Sequence, residues 1–339
     1  MNFLEPWVFL SSVAGIVAAW LMFRAALTSV RVLRRWDLAR ATEGQLLLER
    51  RLELASTFVR VAFPLSVLSL LLFVLATDKL RQAIRGAMCS YGVLGANDWG
   101  FRALFAGVVA VLLLGWLAQI YAFDARVRTM ELGRVLAFGT LAVAPPVVFA
   151  MGAQLKFMAE LDLTAVASCC SVQLDTELAG VSGLSQGPRV PSAVGALVLG
   201  AVAAGLSLLV SRKVTRRGAV AAGLACVLGV PLALAAATFE VAPHVFETPT
   251  HLCPFCLFRS DAWGLGYALF GAVLAAGLLG GGLVFSALLS RSSARTEAFA
   301  LFARRNLRLQ ASACVVAIAL GVFPVVRYAI ISGGASLFP

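Results

Sequence analysis

The chain is poor in charge. Only 13% of its 339 residues are Asp, Glu, Lys or Arg, against 60% hydrophobic, and lysine occurs three times, at Lys79, Lys156 and Lys213. A water-soluble domain of this length needs far more polar residues to cover its surface, so a soluble globular fold is excluded. Histidine is scarcer still, with His244 and His251 alone. There is no Walker phosphate loop, no dinucleotide glycine fingerprint and no H-E-x-x-H pair, so the commonest nucleotide and zinc-hydrolase chemistries have no motif here. No carboxylate falls well inside the long apolar runs, which removes the usual marker of a proton-coupled ion pathway. Ahead of the first apolar run there is no basic n-region, so no cleavable signal peptide is expected.

What is present is apolar length. The mean hydropathy is +0.91, and runs of about 18 or more apolar residues recur along the chain, as transmembrane helices require. In hydrocarbon an unpaired backbone N–H or C=O is too costly to leave, which forces such runs into helices. The expected fold is all-α: a polytopic bundle of about eight spans near residues 7–27, 61–77, 101–123, 135–158, 192–210, 219–238, 263–289 and 309–326, forming one integral membrane domain over 1–339. The segment from Arg31 to Arg60 reads as a basic surface helix. Pro145-Pro146 should kink the fourth span, since proline removes a donor and crowds the preceding turn. Gly264, Ala268, Ala272, Ala276 and Gly280 form a small-residue stripe on the seventh, which permits close helix contact.

The net charge of +11 has a topological cause. Of the 28 Lys and Arg, 20 fall in the segments after the first, third, fifth and seventh spans, and the acidic residues favour the opposite side. One face carries +13 and the other −2. This is the positive-inside pattern, and nucleic acid is not an expected partner. It implies cytoplasmic basic segments, both termini outside and three outer loops, 78–100, 159–191 and 239–262. Arginine and alanine abound where lysine is scarce, a bias of GC-rich bacterial genomes, so the expected location is a bacterial inner membrane, with the lipid bilayer as its surroundings.

Cysteine follows this asymmetry. Cys226 and Cys314 lie inside spans and read as small core residues. Cys89, Cys169, Cys170, Cys253 and Cys256 all lie in the three outer loops, and both histidines share the last of them. Their confinement to those loops predicts that they converge on one outer patch. In a bacterium that side is oxidising, so structural disulfides are one reading. The odd number leaves one thiol over, and the adjacent Cys169 and Cys170 cannot easily pair with each other.

The C-x-x-C of Cys253-Pro254-Phe255-Cys256, with His251 two residues ahead, supports two chemistries. As a redox pair, its sulfurs come within bonding reach on one turn, and the N-terminus of the seventh span favours a thiolate. The more exposed Cys253 would attack. As a metal site, His251, Cys253 and Cys256 offer a nitrogen and two sulfurs to a soft ion, with Cys89, Cys169 or Cys170 completing the shell.

The run Cys253-Pro254-Phe255-Cys256 before a membrane helix resembles the quinone-linked disulfide generators of the DsbB and vitamin K epoxide reductase type. The resemblance covers about ten residues. It implies a thiol–disulfide oxidoreductase in which Cys253 and Cys256 adjoin a quinone and Arg259 is the quinone contact, although Arg259 stands three residues after the second cysteine rather than four. Cys89 with Cys169 or Cys170 would relay electrons from a thioredoxin-like outer protein. Beside that expectation stand a soft-metal (Cu, Zn or Hg) binding or transport component, and a structural subunit of a membrane complex with disulfide-tied loops.

Overall fold

The structure is a computed structural model that describes residues 5–35, 43–127, 132–164, 189–290 and 293–338. Among these there is no strand, and eight helices are long and apolar enough to cross a membrane. The protein is a multi-pass helical membrane protein. In chain order the α-helices are α1 (Pro6–Arg35), α2 (Glu43–Leu80), α3 (Ser90–Leu94), α4 (Gly100–Val127), α5 (Gly133–Glu160), α6 (Arg189–Arg212), α7 (Arg216–Ala236), α8 (Ala242–Phe246), α9 (Leu265–Leu289) and α10 (Ser293–Ile331). Each expected span falls on one of the eight long helices.

The helices run longer than the apolar runs that mark them. Residues 43–60 are not a separate surface helix but the first half of α2. Leu48, Leu52, Ala55, Val59 and Ala62 are buried at alternating spacings of four and three, a single stripe that carries the helix on past its apolar part. Likewise α10 takes in residues 293–308 ahead of the expected eighth span.

Large apolar side chains point away from the interior: Phe9, Trp20, Phe105, Phe138 and Leu209 are each exposed by more than half. In water such a surface would aggregate; in a bilayer it is the solvated face.

Contacts divide the chain into two compact units. The first comprises Met1–Ala83, Val93–Ala165 and Ser292–Ala298. Its core is built from α1, α2, α4 and α5, and buried polar groups tie it across helices. Ser11 donates to the Ser69 carbonyl at 2.8 Å, Ser69 donates back to the Ser11 carbonyl at 2.9 Å, and the Gln154 amide donates to the Ser11 hydroxyl at 2.6 Å. Without water, each polar group here must find a partner inside the protein.

The second unit comprises Ile84–Gly92, Val166–Arg291 and Phe299–Pro339. Here α7 and α9 pack closely at Gly223 and Gly280. A Cβ at Gly223 would stand 2.5 Å from the Gly280 carbonyl oxygen, and one at Gly280 would stand 2.9 Å from that of Gly223. The expected small-residue stripe therefore holds at Ala276 and Gly280, which are buried, but not at Ala268, which is exposed, or at Gly264, which precedes the helix. The Gln310 amide of α10 donates to the Ala222 carbonyl of α7 at 2.9 Å.

Beyond Ala236 the sixth span does not stop. It widens into a π-helical segment, Ala237–Val241, and continues as α8. The Ala242 N–H reaches back five residues to the Ala237 carbonyl. The wider turn relieves the crowding that the Pro243 ring would impose on a regular α-turn.

Candidate functional site

The C-x-x-C owes its geometry to Pro254. Cys253 is extended (φ −108°, ψ 102°) and caps a short 3₁₀ helix, Pro254–Phe258, with proline at its first position, where a fixed φ suits the helix and no donor is lost. A 3₁₀ helix has about three residues per turn, so residues i and i+3 eclipse. Cys253 and Cys256 thus present their sulfurs on the same side, and the Cys256 N–H donates to the Cys253 carbonyl at 3.3 Å. The turn lies against the start of α9. A Cβ at Gly266 would come within 2.9 Å of the Leu257 backbone, so glycine is what lets them touch.

The third sulfur comes from 167 residues earlier. Residues 84–92 belong to the second unit although they follow α2. Cys89 opens a turn closed by the Gly92 N–H on its carbonyl at 3.1 Å, and its Sγ lies 3.7 Å from Cys253 Sγ. The sulfurs of Cys89, Cys253 and Cys256 all lie within 4.8 Å of one another, and none of the three is in a disulfide. All three residues are at most 2% exposed, packed by Tyr91, Phe246 and Phe255. The expected convergence therefore holds for two of the three loops, while Cys169 and Cys170 lie outside the described residues. The meeting point is an enclosed cluster rather than a surface patch, and Cys253 is no more exposed than Cys256.

His251 stands beside the cluster. Its ring lies 4.2 Å, centre to centre, from that of Phe246, and its buried Nε2 finds no hydrogen-bond partner among the described residues. Burial holds its pKa below the usual histidine value, opposed by the charge of a Cys89 thiolate. The imidazole is thus neutral near pH 7, with a lone pair to offer. Arg259 serves as the strap. Its guanidinium pairs with Asp261 at 2.6 Å and donates to the Met88 carbonyl at 3.3 Å, one residue before Cys89, joining the two sulfur-bearing segments.

Two features of the same unit were not foreseen from the sequence. Cys226 and Cys314, expected as separate core residues, are buried and face each other with sulfurs 3.7 Å apart. Glu240, in the π-helical segment, is paired with Arg189 and approached by His244 at 3.7 Å. Arg189 also stacks on the Phe338 ring. The only sequence sign of the second feature was a carboxylate at the edge of an apolar run. The sulfur pair had a faint sign, one cysteine in each of two spans expected to run in the same direction. No family model, curated protein or solved structure matches this chain.

Proposed function

We propose that the protein is a multi-pass protein of a bacterial inner membrane that binds a soft transition-metal ion, Cu(I) above all, on its outer side through Cys89, Cys253 and Cys256, with His251 as an additional donor. The observation that carries this is three sulfurs from two connections within 4.8 Å of one another. A metal–sulfur bond is about 2.3 Å, so three sulfurs around one ion stand about 4 Å apart, and little rearrangement is needed. Thiolate ligands select Cu(I) and zinc over harder cations. The burial of all three sulfurs, with a neutral imidazole alongside, supports a metal site more than direct attack on a large protein partner.

A second reading has its own support. With Cys89 and Cys253 sulfurs at 3.7 Å and Cys256 close by, a disulfide between any two leaves the third in position to attack it. In this reading the chain is a thiol–disulfide oxidoreductase, with a quinone as the electron acceptor and a thioredoxin-like protein as donor.

One preparation separates the two. Protein purified without reductant is titrated with Cu(I) against a competing chelator, and its thiols are counted by alkylation. The metal reading expects Cys253 and Cys256 to be alkylated once the protein is unfolded without reductant, one strongly held ion at this cluster in the folded protein, and release on acidification as protons compete for sulfur. A pair that resists alkylation until reductant is added, with Cys256→Ser trapping a mixed disulfide through Cys253, would overturn it in favour of exchange chemistry.

A further inference from the structure

The second unit holds a half-open cavity of about 250 Å³ lined by residues of α6, α7, α9 and α10. Its lining is made of small or branched apolar residues, with three exceptions: Glu240, Cys226 and Cys314. Glu240 is already engaged by Arg189. Among the described residues of the wall the two cysteines are therefore the sulfur donors, and they stand together, with sulfurs 3.7 Å apart.

Their juxtaposition is held from several directions. Gln310 donates to the Ala222 carbonyl at 2.9 Å, and Cys314 and Cys226 each follow four residues later, so α7 and α10 run parallel and in register. The close approach at Gly223 and Gly280 brings α9 against α7 as well, with a Cβ at Gly280 only 3.1 Å from that of Cys226. Apart from the Arg189-paired Glu240, an organic ligand with polar groups would meet only weakly hydrogen-bonding thiols in such a wall. A bare hard cation would lose its hydration without compensation. A soft ion that takes two sulfurs in a line is the species whose chemistry this wall matches.

We propose that Cys226 and Cys314 form a second metal site, inside the membrane span, that takes a two-coordinate soft cation as a bis-thiolate. At about 2.3 Å per metal–sulfur bond, a linear arrangement sets the sulfurs about 4.6 Å apart, so the pair opens by less than 1 Å. Binding replaces two S–H bonds with two metal–sulfur bonds and releases two protons, with no change of oxidation state. With a divalent ion the complex is neutral, as an apolar surrounding favours, so Hg(II) is the suitable probe.

The site is independent of the three-sulfur cluster, and the test keeps them apart. In a variant with Cys89, Cys169, Cys170, Cys253 and Cys256 all changed to Ser, Hg(II) is titrated against an excess of a simple monothiol. One ion per chain is expected to remain bound. Adding Cys314→Ser should weaken it by about tenfold or more, since one of two metal–sulfur bonds is gone. Because multiple substitutions can fail to fold, a second arm uses the unaltered protein: Hg(II) should protect Cys226 and Cys314 together from a membrane-permeant maleimide, read by mass spectrometry. Equal retention of Hg(II) by the single-thiol variant, independent labelling of the two cysteines, or a Cys226–Cys314 disulfide in the purified protein would each overturn the proposal.

Discussion

The two units are each built mainly from four long helices, and both bury hydroxyls and amides, yet only the second adds sulfur to its interior. The first contains no cysteine and binds itself together with hydroxyls and an amide, at 2.6 to 2.9 Å, in the Ser11–Ser69–Gln154 network. The second contains every described cysteine, in two clusters, each with a pair of sulfurs 3.7 Å apart. Hydroxyls and amides are strong donors and acceptors and saturate one another in a dry interior. Thiols are weak ones, held by packing, and their lone pairs remain available to a soft metal. In this contrast the first unit's buried hydroxyls and amide serve cohesion, while the second unit adds thiols, which the proposed reading makes metal ligands.

The sharpest way to break the comparison is to exchange consequences between the units. Cys253→Ser should lower Cu(I) affinity at the three-sulfur cluster by more than about 100-fold, beyond the cost of losing an outer-shell partner, as measured by chelator competition. Ser69→Ala should leave that affinity unchanged. A metal-binding loss from Ser69→Ala equal to that from Cys253→Ser would erase the distinction.

A second contrast concerns backbone approach. Gly223→Val forces a side chain toward the Gly280 carbonyl and should destabilise by about 1–3 kcal/mol, the usual cost of overpacking. Gly152, in α5 of the first unit, has nothing within 4 Å of a Cβ position. Gly152→Ala should be neutral or slightly stabilising, by up to about 1 kcal/mol from helix propensity. Thermal unfolding in detergent compares the pair, and equal losses would refute the packing account.

Within the first unit, Gln154→Leu should cost about 0.6 kcal/mol, the average measured for a hydrogen bond between membrane helices, and no more than about 1.7 kcal/mol, the largest measured; denaturant unfolding in micelles would show it. A cost near zero would mean the network contributes no cohesion.

The smallest effect is that of pH on His251. Its folded pKa lies below the unfolded value because burial disfavours the cation. The folded state therefore binds fewer protons than the unfolded one in the window between the two. Its contribution to stability is full above about pH 6.5, the unfolded value, and is lost as pH falls toward the folded value. His251→Gln should flatten the melting-temperature profile below that pH; an unchanged slope would remove His251 from the account.

Much of the architecture was legible in the sequence because lipid leaves so few options. A run of apolar residues must be a helix, and Trp7 to Leu27 or Phe101 to Phe123 could be read from length and composition alone. The ends were harder. Leu48, Leu52 and Val59 are interleaved with charged residues, so their stripe is visible only once the helix is known to continue. The eclipsed C-x-x-C was legible too, since Pro254 and a three-residue spacing fix it locally.

What only the tertiary structure decided is who meets whom across long separations. The sequence by itself determined that the chain is a bundle of membrane helices and that a C-x-x-C closes a local turn, because hydrophobic length and proline geometry act over one to twenty residues. It grouped Cys89 with the cysteines of two other connections, but could not say that its sulfur would lie beside Cys253 and Cys256, enclosed, with Arg259 strapping the segments together. Nor could it set Cys226 against Cys314. Those meetings depend on the order in which helices pack, and in a membrane every helix is apolar enough to face any other. Specific contacts such as Gly223 on Gly280 and Gln310 on Ala222 then choose the neighbours and align the sulfurs.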